Sequence, residues 1–285
     1  MSVIKKVVAV DVLPTFSKPI LNYERDDEIL FGMVVEVIEE AENGFVQIRT
    51  HYNYTGYPLA KDLVDLGNWE SCPKWTVWAP YLDVQDIAKV QGHAMVGVAR
   101  GGLLAVLPES EEPALNEGEN RQGWTYVGLP DGTRGFVRSE CIKPEAAPVV
   151  LDNLSPEDIK QLRKNLVETA LLYDPTQYRW GGKSPLGIDC SGLTSMAYML
   201  NGILTYRNAQ LKEGFPIHEI KREDIKEGDL LYWPGHIAMY IGDERYVHCT
   251  AHHLSPGMRV NSLNPAHDDY REDLATTLLH VGSFF

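Results

Sequence analysis

Three residues of this chain could do nucleophilic chemistry together. Cys190 lies in Gly187-Ile188-Asp189-Cys190-Ser191-Gly192, and Leu193, Met196, Ala197 and Leu200 follow at near-helical spacing, so the thiol sits where loop becomes helix. The unpaired N–H groups and partial positive charge of a helix start favour thiolate over thiol, which is one route to a reactive cysteine near neutral pH. A free cysteine in such a place is just as often buried and inert. What separates the two is a base within hydrogen-bond reach and a third group that orients the base.

Gly235-His236-Ile237-Ala238-Met239-Tyr240-Ile241-Gly242 alternates as a strand, with His236, Ala238 and Tyr240 on one face. A single strand histidine is more often structural than catalytic. Here a turn at Gly242-Asp243-Glu244 leads into Arg245-Tyr246-Val247-His248, and antiparallel pairing of the two segments brings the imidazoles close. His236 then reads as the base, and His248 as the group that fixes its tautomer.

The rest of the chain must position these groups. Its 285 residues imply two or three domains. With 26 Lys and Arg against 40 Asp and Glu, the net charge of −14 argues against nucleic acid as a partner, and a small or zwitterionic substrate fits better. Cys72, Cys141, Cys190 and Cys249 lack CxxC spacing, so reduced thiols are expected rather than a zinc site or a disulfide framework. A cluster of Cys249 with His252 and His253 is cramped and lacks a fourth ligand; no metal and no cofactor are expected. The N-terminal apolar stretch breaks at Asp11, too short for a signal sequence, and no later segment approaches a membrane span. The expectation is a cytoplasmic protein with no membrane partner, secreted if a leader has been removed, and a monomer.

From Val7 to about Ala79, short alternating segments (Val8/Val10/Val12, Ile29/Phe31/Met33/Val35/Val37, Phe45/Val46/Ile48) predict a small all-β unit, with a tight turn at Glu42-Asn43-Gly44. Similar grammar runs from Pro80 to Lys143 through Leu103/Ala105/Leu107, Trp124/Tyr126/Val127 and Gly135/Phe136/Val137. Both units resemble bacterial SH3-like domains, giving domains at 1–79 and 80–145 and a third at 146–285. Ser155-Pro156-Glu157-Asp158 starts a helix carrying Ile159, Leu162, Leu166 and Ala170 on one face. Helices first and an antiparallel sheet afterwards make the third domain α+β.

Asp189-Cys190-Ser191-Gly192, Gly228-Asp229-Leu230, Gly235-His236 to Gly242, and Tyr246-Val247-His248 resemble, in order and spacing, the core of NlpC/P60 cysteine peptidases, which cleave peptides of bacterial cell walls. The resemblance covers roughly Asp158 to the C-terminus. It implies a papain-like fold with Cys190 as nucleophile, His236 as general base and His248 as third member of the triad.

Two SH3-like units ahead of such a domain resemble the γ-D-glutamyl-L-diamino-acid endopeptidases. That likeness implies a murein tripeptide or tetrapeptide substrate with a free N-terminal L-alanine, cut before lysine or diaminopimelate in wall recycling. It assigns the substrate's ammonium to Asp189 together with an acid and a tyrosine of the first unit: Tyr54, by the segment Tyr54-Thr55-Gly56-Tyr57, and Asp26, with Glu28 and Glu24 as rivals. Tyr178 and Trp180 would wall that pocket, and Ser191 would add a polar contact. An amine blocked by acetyl or glycan would leave those acceptors unpaired, which excludes intact peptidoglycan. The chain departs from relatives at Arg207-Asn208-Ala209, where Arg-Asp-Ser or Arg-Asp-Ala is common, so a serine contact to substrate is missing. A secreted lysin acting on intact wall and a non-catalytic wall-binding protein are the competing expectations.

Overall fold

Period-two alternation fills the first half of the chain with short strands, and two apolar helices enter only in the second half. The computed structural model describes residues 3–21 and 23–285. It divides into two compact units, 1–145 and 146–285.

The first unit is all-β, with two small sheets and one separate hairpin. In one sheet the strand order is Thr55–Gly56, Val46–Thr50, Val34–Glu40, Ile4–Val8, Leu63–Asp65. The hairpin pairs Val12–Phe16 with Arg25–Leu30. The expected single run from Ile29 to Val37 is therefore two strands. Gly32 breaks it at φ +75°, where any Cβ would also lie 2.4 Å from the Leu103 carbonyl oxygen. The other sheet has seven strands and buries Val77, Leu82, Val84, Val98, Leu104, Val127 and Val137 in one cluster. One of its strands, Lys74–Val77, pairs with Leu103–Val106 and Ile142–Pro144. That corrects the border at 79/80: the segment after the turn at Trp69–Ser71 already belongs to the second sheet, because its apolar residues complete that core.

In the second unit, α1 (Pro156–Leu171) starts on a full capping box, Ser155 and Asp158 each bonding the other's backbone N–H. α2 (Cys190–Met199) is apolar nearly all round and buried from Cys190 to Tyr198. It packs on a six-stranded antiparallel sheet with the order His218–Ile220, His280–Ser283, Leu230–Trp233, His236–Gly242, Arg245–Thr250, Gly257–Ser262. Each fully buried Leu or Met of that helix contributes about 1.5–3 kcal/mol. Asp229 ties α1 to the sheet: its buried carboxylate accepts from Arg163 Nη1 at 2.9 Å, Ser283 Oγ at 2.6 Å and the Lys226 N–H at 2.8 Å. The chain as a whole is α+β. Among the described residues no helix is long and apolar enough to cross a membrane.

Candidate active site

The start of α2 is held by one carboxylate. Asp189 is the N-cap, and its Oδ1 accepts from the Gly192 N–H at 2.6 Å. Oδ2 accepts from the Gly181 N–H at 2.8 Å. Arg207, buried to 1% exposure, donates to both oxygens from Nη1 at 3.1 Å and Nη2 at 3.0 Å. Ser191 Oγ donates to Asp189 Oδ1 at 3.2 Å and accepts from Arg207 at 2.8 Å. Asp189 and Ser191, expected at the substrate, are thus joined to one another and to Arg207 beside the nucleophile. Both carboxylate oxygens have partners inside the protein, and these bonds fasten α2 to the segments at 181 and 207. Gly192 is required by the same packing, since a Cβ there would lie 2.0 Å from the Gly182 carbonyl oxygen.

Cys190 is 6% exposed, and its sulfur accepts from the backbone N–H groups of Ser191 and Ile237. Ile237 follows His236 on the strand His236–Gly242, so this contact brings the thiol to the end of the strand that carries the histidine. Burial, and then the Asp189 charge, push the thiol up to about 11, outweighing those N–H groups and Arg207. Burial thus works against the helix-start N–H groups, favouring the thiol, which gives up its proton during reaction.

The two histidines meet as the antiparallel register requires. His236 Nε2 stands 2.7 Å from His248 Nδ1, and the rings are edge-to-face with centroids 5.0 Å apart. His248 Nε2 stands 3.0 Å from Asn261 Oδ1, and Asn261 Nδ2 donates to the Asp269 carbonyl at 3.0 Å. Trp233 lies against His236 with centroids 5.7 Å apart, and its indole N–H donates to the Leu274 carbonyl at 2.6 Å. Burial, and then the Arg271 charge, push His236 down to about 4. Burial, and then His236 itself, push His248 down to about 3. Both rings are neutral at pH 7, so His236 can accept a proton.

Tyr178 is half-buried, and its phenol is raised by burial and then by the charges of Cys190 and Asp189. Trp180 is 58% exposed and available to a ligand. Cys249 donates to the Ile188 carbonyl at 3.1 Å. Among the described residues no group of three or more His, Cys, Asp or Glu is arranged to hold a metal. In the first unit, Asp26 and Tyr54 are half-buried. Their neighbours are fully buried: Asp27 accepts from Tyr52 Oη at 2.5 Å, and the rival Glu28 pairs with Arg25 at 2.6 Å. Sequence reasoning missed Arg207 and Asn261. Arg207 stood within the Arg207-Asn208-Ala209 block without being assigned a role, and Asn261 carries no motif at all.

A thiol beside a neutral imidazole, itself bonded to a second imidazole, can attack a carbonyl and pass the proton on. Comparison with known proteins agrees with this chemistry. The NlpC/P60 family model matches residues 175–274. The chain is 39% identical over 274 residues to a Lysinibacillus sphaericus protein named dipeptidyl-peptidase 6, covering 95% of this chain and 96% of that protein. It is 32% identical over 242 residues to the γ-D-glutamyl-L-lysine dipeptidyl-peptidase of Bacillus cereus, covering 78% of this chain and 66% of that protein. The crystal structure of an NlpC/P60 family protein from Bacillus cereus superposes with a TM-score of 0.75 at 17% identity, over 98% of this chain and 99% of that one, and shows the fold. The chain belongs to the NlpC/P60 family and is a peptidase.

Proposed function

We propose that this protein is a cysteine endopeptidase that hydrolyses the γ-D-glutamyl–L-diamino-acid bond of murein tripeptides and tetrapeptides carrying a free N-terminal L-alanine. The observation that carries the reading is the hydrogen-bonded pair His236–His248, with the N–H of Ile237, next in chain to His236, donating to the buried Cys190 sulfur, in a chain similar over nearly its full length to a dipeptidyl-peptidase. The name of the Bacillus cereus relative supplies the bond.

His236 takes the thiol proton as Cys190 sulfur attacks the γ-carbonyl, so no isolated buried thiolate has to exist. The Cys190 backbone N–H, at the start of α2, is the donor offered to the oxyanion. His236, now an imidazolium, protonates the leaving amine of the diamino acid. Water then attacks the thioester, with His236 again as base, and releases L-Ala-γ-D-Glu. Tyr178 and Trp180 are the aromatic surface offered to the acyl side. Recognition of the free amine is assigned to Asp26 and Tyr54 on family resemblance. A requirement for a free amine suits released wall fragments, and hence recycling in the cytoplasm.

The test is product analysis by mass spectrometry on L-Ala-γ-D-Glu-L-Lys, its diaminopimelate counterpart and their N-acetyl forms. Release of L-Ala-γ-D-Glu from the free-amine peptides is expected, with kcat/KM lower by about 100-fold or more on the acetylated ones. Equal turnover of acetylated peptide, or of intact sacculi, would favour the lysin reading instead.

A further inference from the structure

Two imidazoles that share one hydrogen bond have two equivalent ways of arranging their protons. Either His236 donates from Nε2 to His248 Nδ1, leaving His236 Nδ1 with a lone pair, or the bond runs in reverse and His236 carries its proton on Nδ1. Only the first form can accept the thiol proton at Nδ1. Something outside the pair has to choose.

Asn261 lies on the strand Gly257–Ser262, opposite Tyr246. Its Nδ2 is 3.0 Å from the backbone carbonyl of Asp269. A carbonyl only accepts, so this contact settles which end of the amide is nitrogen. The other end, Oδ1, is 3.0 Å from His248 Nε2, and an amide oxygen likewise only accepts. The Nε2 of His248 must therefore carry the proton. A neutral ring holds one N–H, so His248 Nδ1 is an acceptor, and the proton in the 2.7 Å contact belongs to His236 Nε2. Reversing the pair would set His248 Nε2 lone pair against Asn261 Oδ1 lone pair and cost that bond in a partly buried place.

We infer that Asn261 is a positioning residue that sets the tautomer of both histidines and so leaves the lone pair of His236 on Nδ1, where the thiol proton is taken. It acts through His248 and touches neither the substrate nor the sulfur. The polarity also survives the proton transfer: when Sγ–H gives its proton to Nδ1, the resulting His236 imidazolium still donates from Nε2 to His248 Nδ1, so no partner has to turn. The consequence for rate rests on the proposed cysteine-peptidase reading, whereas the tautomer is a property of the unliganded chain.

The test is a long-range proton–nitrogen correlation spectrum of the histidine side chains in the ¹⁵N-labelled full chain near pH 7.5, beside kinetics of two variants. Wild type is expected to show His236 and His248 both protonated on Nε2. N261L should populate the reversed form and lower kcat by about 10- to 100-fold with KM little changed. N261D keeps an acceptor on His248 Nε2–H, so it should hold the wild-type tautomers and recover activity relative to N261L. A wild-type spectrum with His236 protonated on Nδ1 overturns the inference, as does N261L with unchanged tautomers and kcat. Should N261L not fold, the wild-type and N261D spectra decide alone. Failure of wild type to cleave any γ-D-glutamyl peptide would count against the proposed function, leaving the spectrum to judge the tautomer.

Discussion

Asp189 and Arg207 form a two-point ion pair inside the protein, with both carboxylate oxygens within 3.1 Å of the guanidinium, at the residue immediately before Cys190. A buried pair of this kind is costly to break from one side, because the survivor is left as an uncompensated charge. Arg207→Met should therefore destabilise the second unit by about 3–5 kcal/mol. It should also reduce activity, since the same carboxylate caps α2. Arg207→Lys keeps the charge and loses the two-point geometry, and should fall between. Chemical denaturation followed by a probe in residues 146–285 measures the order; no change in Arg207→Met would remove this pair from the account.

The pH behaviour follows from a thiol near 11 and imidazoles near 4 and 3. Iodoacetamide should alkylate Cys190 slowly at pH 7 and faster with each unit of rising pH up to about 11, with no plateau near neutrality. The acid limb of kcat/KM, which needs neutral His236, should fall near pH 4. For stability the sign is set by the unfolded chain, whose histidines take up protons as pH drops through about 6.5 while the folded ones do not until about 4 and 3. Folded-state stability is thus lost as pH falls from about 6.5 toward 3. A thermal midpoint that rose on acidification over this window would contradict the buried neutral pair.

Gly192→Ala tests the close approach at the helix start. Its methyl would overlap the Gly182 backbone carbonyl, which has no flexible end to move aside. Loss of about 1–3 kcal/mol is expected, together with a fall in kcat as α2 and Cys190 shift. Ser195→Ala, further along the same helix, loses only a bond to the Gly192 carbonyl and should be milder.

What could be read from residue order was what depends on local pattern. Ser155-Pro156 and Asp189 announce their helices because capping is a short-range contact, and His236 and His248 find each other because a two-residue turn fixes their register. Arg207 and Asn261 were not legible for the opposite reason. Each acts on a residue brought near only by the tertiary fold, Arg207 reaching back to Asp189 and Asn261 across to His248. The chemistry of Asp189 suits an ammonium and a guanidinium equally, and only the folded chain shows that Arg207 is among its partners. At Cys190 the helix-start N–H groups are visible in the pattern, whereas the burial that opposes them comes only with the fold.

The proposed activity depends on attack of Cys190 sulfur on the γ-D-glutamyl carbonyl. The most direct measurement is mass spectrometry of L-Ala-γ-D-Glu-L-Lys incubated with wild type and with Cys190→Ala of matched thermal midpoint. Wild type is expected to release L-Ala-γ-D-Glu, and Cys190→Ala none above the uncatalysed background. Equal release by the two proteins would contradict it.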